Sequence, residues 1–251
     1  MKQKTLRRNG IKLSYQISSV NKPWLILIHG WGSNHSIWQP YVHYFKDRFS
    51  ILTPDLRGHG KSQAGPVDMQ TLREDLLAIM DKENIQTANV MGHSFGATIA
   101  LDFASNHQDR TSSLVLATLT TRRYTFARPL VHSTVNLILA AWQPKERVFQ
   151  NYWNENNTPV RFTVPLDLAG ADKKVLHKTM RLGMSYKANW NSVKCPTLLL
   201  QGVYDLLAWN HRLRLDTKHK DNISLKVLPT HHLVTTTKAA LVMQKLEVFW
   251  R

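Results

Sequence analysis

The strongest chemical signal in the chain is the pentapeptide Gly92-His93-Ser94-Phe95-Gly96. It follows the strand-like Ala88-Asn89-Val90-Met91 and opens the helix-like run Ala97 to Ala104. That places the serine on a sharp strand-to-helix turn, crowded enough to need glycine on both flanks. Its hydroxyl would stand at the C-terminal edge of a sheet, near the positive end of the next helix. A hydroxyl is a poor nucleophile at neutral pH, so it needs a base to take its proton and a third group to orient that base. The chemistry served is attack on a carbonyl carbon; the structural alternative is an ordinary glycine-rich connection.

Two further motifs surround this one. His29-Gly30-Trp31-Gly32 comes directly after the apolar run Leu25 to Ile28. A glycine-rich turn there lets backbone amides approach a ligand, and the N-H groups of Trp31 and Phe95 are the two candidate oxyanion donors. The segment Asp55-Leu56-Arg57-Gly58-His59-Gly60-Lys61-Ser62 is basic and glycine-rich. It lacks the four-residue spacer and Gly-Lys-Ser/Thr ending of a phosphate-binding loop, so it reads as structural, with His59 a hydrogen-bonding group of the loop.

Together, in this order and spacing, the three motifs resemble the α/β-hydrolase superfamily, over nearly the whole chain. The resemblance implies an α/β fold with a mostly parallel central sheet flanked by helices and an inserted helical cap. It places the acid after the nucleophile and the histidine last. Cys195 to Asp205, with the ending Gly202-Val203-Tyr204-Asp205, is similar to the family's acid-bearing strand and puts Asp205 in the acid's position. The stretch Leu116 to Thr121, where some relatives carry the acid, holds no carboxylate. The base falls in Leu228-Pro229-Thr230-His231-His232-Leu233. Alignment on the family's usual Gly-His pair puts His232 on the base and His231 where a glycine would stand, and His231 stays open as an alternative because a non-glycine residue there disfavours the usual backbone.

The resemblance is to small soluble carboxylesterases, the carrier-linked methyl-ester hydrolases among them. It implies Ser94 as nucleophile, His232 as base, Asp205 as orienting acid, and no metal or organic cofactor. Serine at the turn argues against the dehalogenase and epoxide-hydrolase branches, which carry aspartate there. A pocket lined by Trp31, Phe95, Trp142, Tyr152 and Trp153 would favour an apolar acyl group of modest length. His35, His43, His132, His177 and His219 are scattered and read as surface or packing residues.

The elements that must position these groups alternate along the chain in the way that argues for a parallel sheet covered on both faces. Strands are predicted over 5–8, 12–17, 24–29, 50–54, 89–91, 113–117, 197–201 and 224–228, and helices over 37–45, 69–83, 95–106, 207–218 and 235–249. Met69, Leu72, Leu76, Ile79 and Met80 recur at helical spacing and predict a core-facing stripe. Residues 119–190 break the alternation, which divides the chain into a core of 1–118 and 191–251 and a helical cap.

The chain has 251 residues, 43% hydrophobic and 20% charged, which excludes disordered, collagen-like and disulfide-scaffold classes. One cysteine allows no internal disulfide, and the basic N-terminus runs into Asn9-Gly10 instead of an apolar stretch, so a cytoplasmic setting without signal peptide or membrane insertion is expected. Lys and Arg number 33 against 17 Asp and Glu, a formal charge of +16. The expected partner is a small-molecule ester. The basic cap adds an acidic carrier protein as a second candidate. Nucleic acid is not expected, because no recognised module is present and the basic residues form no single run. A non-catalytic receptor or basic binding protein on the same scaffold is the reading from another class.

Overall fold

The computed structural model describes residues 1–119, 171–205 and 217–251, and the fold below is that of these residues. Eight strands form one sheet in the order β1-β2-β4-β3-β5-β6-β7-β8. They are β1 (Lys2–Arg8), β2 (Ile11–Ser18), β3 (Trp24–Ile28), β4 (Ser50–Pro54), β5 (Ala88–His93), β6 (Thr111–Ala117), β7 (Thr197–Gly202) and β8 (Ile223–Leu228). The first two are antiparallel to each other and β2 is antiparallel to β4; every other pairing is parallel. Asn9 and Gly10 turn the opening hairpin with φ of 49° and 77°, the two positive values that a two-residue connection with matching twist requires.

Each central strand is apolar on both sides because each side meets helices. On β3, Ile26 and Ile28 join the cluster built with Leu72 and Leu76 of α2 (Met69–Lys82) and Ile99 and Phe103 of α3 (Phe95–Asn106). Leu25 and Leu27 join the opposite cluster, with Tyr41 and Phe45 of α1 (Gln39–Phe45) and, from near the C-terminus, Val242 and Leu246. The layering is the architecture the resemblance implies. The apolar stripe of α2 buries Leu72, Leu76, Ile79 and Met80, but it also buries Asp75, which hydropathy alone does not place inside.

The sequence-predicted helix over 37–45 is two pieces. A 3-10 turn covers His35–Trp38, and α1 starts at Gln39 with Pro40 in its first turn, where a missing N-H costs nothing. The predicted helix over 207–218 lies mostly outside the described residues. Of the cap expected over 119–190, residues 120–170 also lie outside them, and 171–190 contain α4 (Lys173–Ser185). The predicted C-terminal helix divides into α5 (Val234–Thr237) and α6 (Ala239–Phe249) at Lys238. The break follows three β-branched threonines, two of whose hydroxyls donate back to the Leu233 carbonyl. Among the described residues no helix is long and apolar enough to cross a membrane.

Candidate active site

Ser94 sits between β5 and α3 with φ 53° and ψ −116°, a left-handed conformation that a residue with a Cβ adopts only under constraint. The constraint is visible on every side. Its N-H donates to the Ala117 carbonyl at the end of β6 at 2.9 Å, and its carbonyl accepts from Ala97 N-H at 2.9 Å. A Cβ on Gly92 would collide with the Gly96 backbone, and one on Gly96 with the carbonyls of Ile28 and His29. The two glycines therefore let the start of α3 press against both its own strand and the neighbouring β3.

Asp205 closes the turn that leaves β7. That turn is stitched to the end of β8: Val203 N-H donates to Leu228 O at 2.8 Å and Tyr204 N-H to Thr230 O at 3.0 Å. A Cβ on Gly202 would strike the carbonyls of Thr230 and His231, so only glycine lets the two loops meet. The result brings together side chains from three strand ends. His232 Nε2 lies 2.7 Å from Ser94 Oγ, and His232 Nδ1 lies 2.9 and 3.1 Å from the two Asp205 carboxylate oxygens. The carboxylate, with its side chain fully buried, accepts the Nδ1 proton, which leaves the Nε2 lone pair for the serine hydroxyl.

His231 takes the other direction. It is exposed, with its ring 5.7 Å from that of Tyr204, itself 61% exposed. His231 is not among the left-handed residues, which apart from glycine are Asn9, Asn21, Asn84, Ser94 and Thr118 in the described chain. The loop therefore accommodates a side chain where the resemblance has glycine.

Phe95 opens α3, so its amide has no carbonyl one turn back within the helix. The Trp31 amide bonds to no backbone carbonyl of the described residues. Both side chains pack under α4: the Trp31 indole donates to Leu176 O at 2.8 Å, and Gly183 lies against the Phe95 ring. Trp142, Tyr152 and Trp153 lie outside the described residues.

The loop Asp55 to Ser62 buries Asp55 and Arg57 and leaves Lys61 exposed. Arg57, buried, forks onto Asp75 at 2.6 and 2.8 Å, and Asp55 accepts from His35 N-H, His35 Nδ1-H and Lys61 N-H. Burial raises the Asp55 pKa, but the His35 hydrogen bond, the charge interactions with His35 and His29 and the Lys61 amide together outweigh it and bring the group below its ordinary value. His35, expected at the surface or in packing, is buried. Burial lowers His29 to about 3, with the His59 ring 5.3 Å away, and lowers His59 as well. Sequence reasoning missed one residue beside the serine: His93, buried, its ring 5.7 Å from that of His232. Its position in the pentapeptide was the available signal. No group of three or more potential metal ligands occurs among the described residues.

A family model described as the alpha/beta hydrolase fold matches residues 23–158. The chain is 38% identical over 96 residues to 3-oxoadipate enol-lactonase 1 of Acinetobacter baylyi, covering 38% of this chain and 36% of that protein. It is 21% identical over 269 aligned positions, 99% of this chain and 98% of the other, to an (E)-2-((N-methylformamido)methylene)succinate hydrolase of the same organism. Among solved structures, the enol-lactonase from Burkholderia xenovorans superposes with a TM-score of 0.78 at 23% identity, covering 98% and 99% of the two chains.

Proposed function

Because the chain belongs to the α/β-hydrolase family, we propose that it is a serine hydrolase cleaving carboxylic esters, thioesters or lactones of small to medium apolar acyl groups. In this reading Ser94 Oγ attacks the carbonyl carbon while His232 Nε2 takes its proton. Asp205 holds the imidazole in the required tautomer and stabilises the imidazolium. The Trp31 and Phe95 amides receive the oxyanion. Collapse of the tetrahedral intermediate expels the alcohol or thiol, which leaves with the proton from His232. Water, deprotonated by the same histidine, then releases the acid from Ser94. No metal or organic cofactor enters the scheme. Residues 119–190 serve as the cap over the acyl group, and the activity belongs to the cytoplasm.

The observation that carries this reading is the 2.7 Å contact from His232 Nε2 to Ser94 Oγ, with the Asp205 carboxylate on the other ring nitrogen. The name of the enol-lactonase that shares 38% identity over 96 residues supports the inclusion of lactones. The test is a panel of p-nitrophenyl acyl esters, an acyl thioester and an enol-lactone, run on wild type and Ser94→Ala. Faster turnover by wild type, by about 10³-fold or more, supports the reading. Equal rates on every substrate, with a gel shift on nucleic acid or retention of an unhydrolysed ligand, favour the non-catalytic binder.

A second reading concerns the carrier of the acyl group. The outer face of α4, the helix lying over Trp31 and Phe95, exposes Lys173, Lys174, His177, Lys178 and Arg181. That face suits an acidic carrier protein, which electrostatic attraction would steer to the site. A kcat/KM for a carrier-linked ester that falls with added salt supports it, and a flat dependence contradicts it.

A further inference from the structure

His93 precedes Ser94 and has no part in the triad, yet it is the buried polar residue best placed to govern it. Its Nε2 lies 3.2 Å from the carbonyl oxygen of His232. A carbonyl only accepts, so that nitrogen carries the proton and donates. Its Nδ1 is buried and has no hydrogen-bond partner among the described residues. This second nitrogen faces Gly30, where an added Cβ would stand 3.0 Å from it and 3.4 Å from Ser94 Cβ. A proton on Nδ1 would meet no acceptor there, so the ring is held as one neutral tautomer. Burial, followed by the nearby His232 ring, lowers its pKa to about 4 and agrees with that state.

We propose that His93 is a positioning residue for the reaction proposed above, on which this inference rests: its Nε2-H holds the backbone of His232 so that the catalytic imidazole stays within proton-transfer distance of Ser94. Ser94 and His232 lie 138 positions apart in sequence, and their side chains meet at the tip of a loop. The Asp205 carboxylate fixes the direction of the His232 ring, and the main-chain bonds from the β7 turn hold the loop at Leu228 and Thr230, short of His232 itself. The bond from His93 supplies the missing restraint, from a residue whose own backbone is locked to the strained serine. Misplacement of a catalytic group by 1 Å costs about 10²-fold in rate.

Three substitutions separate this role from mere packing. Glutamine carries an N-H donor near the position of the imidazole Nε2. Asparagine keeps a polar side chain but reaches only as far as Nδ1, and phenylalanine keeps the volume with no donor. The measurements are kcat and KM for a p-nitrophenyl ester and the thermal midpoint of each variant, with wild type and Ser94→Ala alongside. The expected result is a kcat about 10-fold to 10²-fold lower in His93→Asn and His93→Phe, with KM within about twofold and most of the rate restored in His93→Gln. The asparagine variant gives the answer if phenylalanine prevents folding. Equal kcat in wild type and His93→Asn, or a loss that glutamine does not recover, overturns the proposal while leaving the hydrolase reading intact. A wild type no faster than Ser94→Ala overturns the hydrolase reading and this inference with it.

Discussion

At the scale of single residues, direction matters more than identity. Two adjacent histidines share one loop, and they differ in where their rings go: His232 toward Ser94 and Asp205, His231 outward beside Tyr204. His232→Ala is therefore expected to lower ester turnover by about 10³-fold or more, and His231→Ala to change it by no more than a few-fold. Steady-state kinetics on the purified variants decide this, and a reversed order moves the base to His231. Ser94 itself stands at φ 53°, a conformation that costs about 1–3 kcal/mol for a residue with a side chain. Ser94→Gly should unfold at higher urea than Ser94→Ala, by about 1 kcal/mol in stability, with both expected to be inactive. Equal urea midpoints would mean that the turn stores no strain.

At the scale of elements, the loops that leave β5, β7 and β8 carry the three side chains, and their mutual approach depends on missing side-chain atoms. Gly202→Ala places a methyl group against the carbonyls of Thr230 and His231. The expected cost is about 1–3 kcal/mol of stability, together with a fall in kcat of about tenfold or more as the His232 loop is pushed from Ser94. Wild-type kcat in a folded Gly202→Ala would show that the two loops are not coupled. Much of this was legible beforehand. Continuous apolar runs such as Leu25 to Ile28 marked the covered strands, and the pentapeptide around Ser94 marked a strand-to-helix turn. What stayed hidden depends on tertiary direction. No periodicity separates His231 from His232, and nothing in hydropathy places Asp75 inside α2 until Arg57 arrives to pair with it. The apolar stripe predicts the C-terminal helix as one piece, because its break comes from threonine hydroxyls bonding back to the chain, a local competition that hydropathy does not register.

At the scale of the whole molecule, the buried histidines His29, His59 and His93 have pKa values that burial pushes below the ordinary 6.5, to about 3 for His29 and about 4 for His93. Between pH 6.5 and about 4 the unfolded chain binds protons that the folded chain refuses, so stability must fall as the pH falls through that window. His93 alone contributes on the order of 3 kcal/mol of that loss by pH 4. Asp55, held below its ordinary 3.8, adds a further loss of the same sign below that pH. Urea midpoints measured from pH 8 to pH 4 should drop throughout the acidic half, and a flat profile would contradict neutral burial of these rings. The proposed reaction requires that the same molecule deliver one reactive hydroxyl, and intact-mass spectrometry after exposure to a fluorophosphonate reads that directly. A single adduct, mapped to Ser94 and lost in a folded His232→Ala, is the predicted result; labelling elsewhere, or labelling of Ser94 at an unchanged rate without His232, would contradict it.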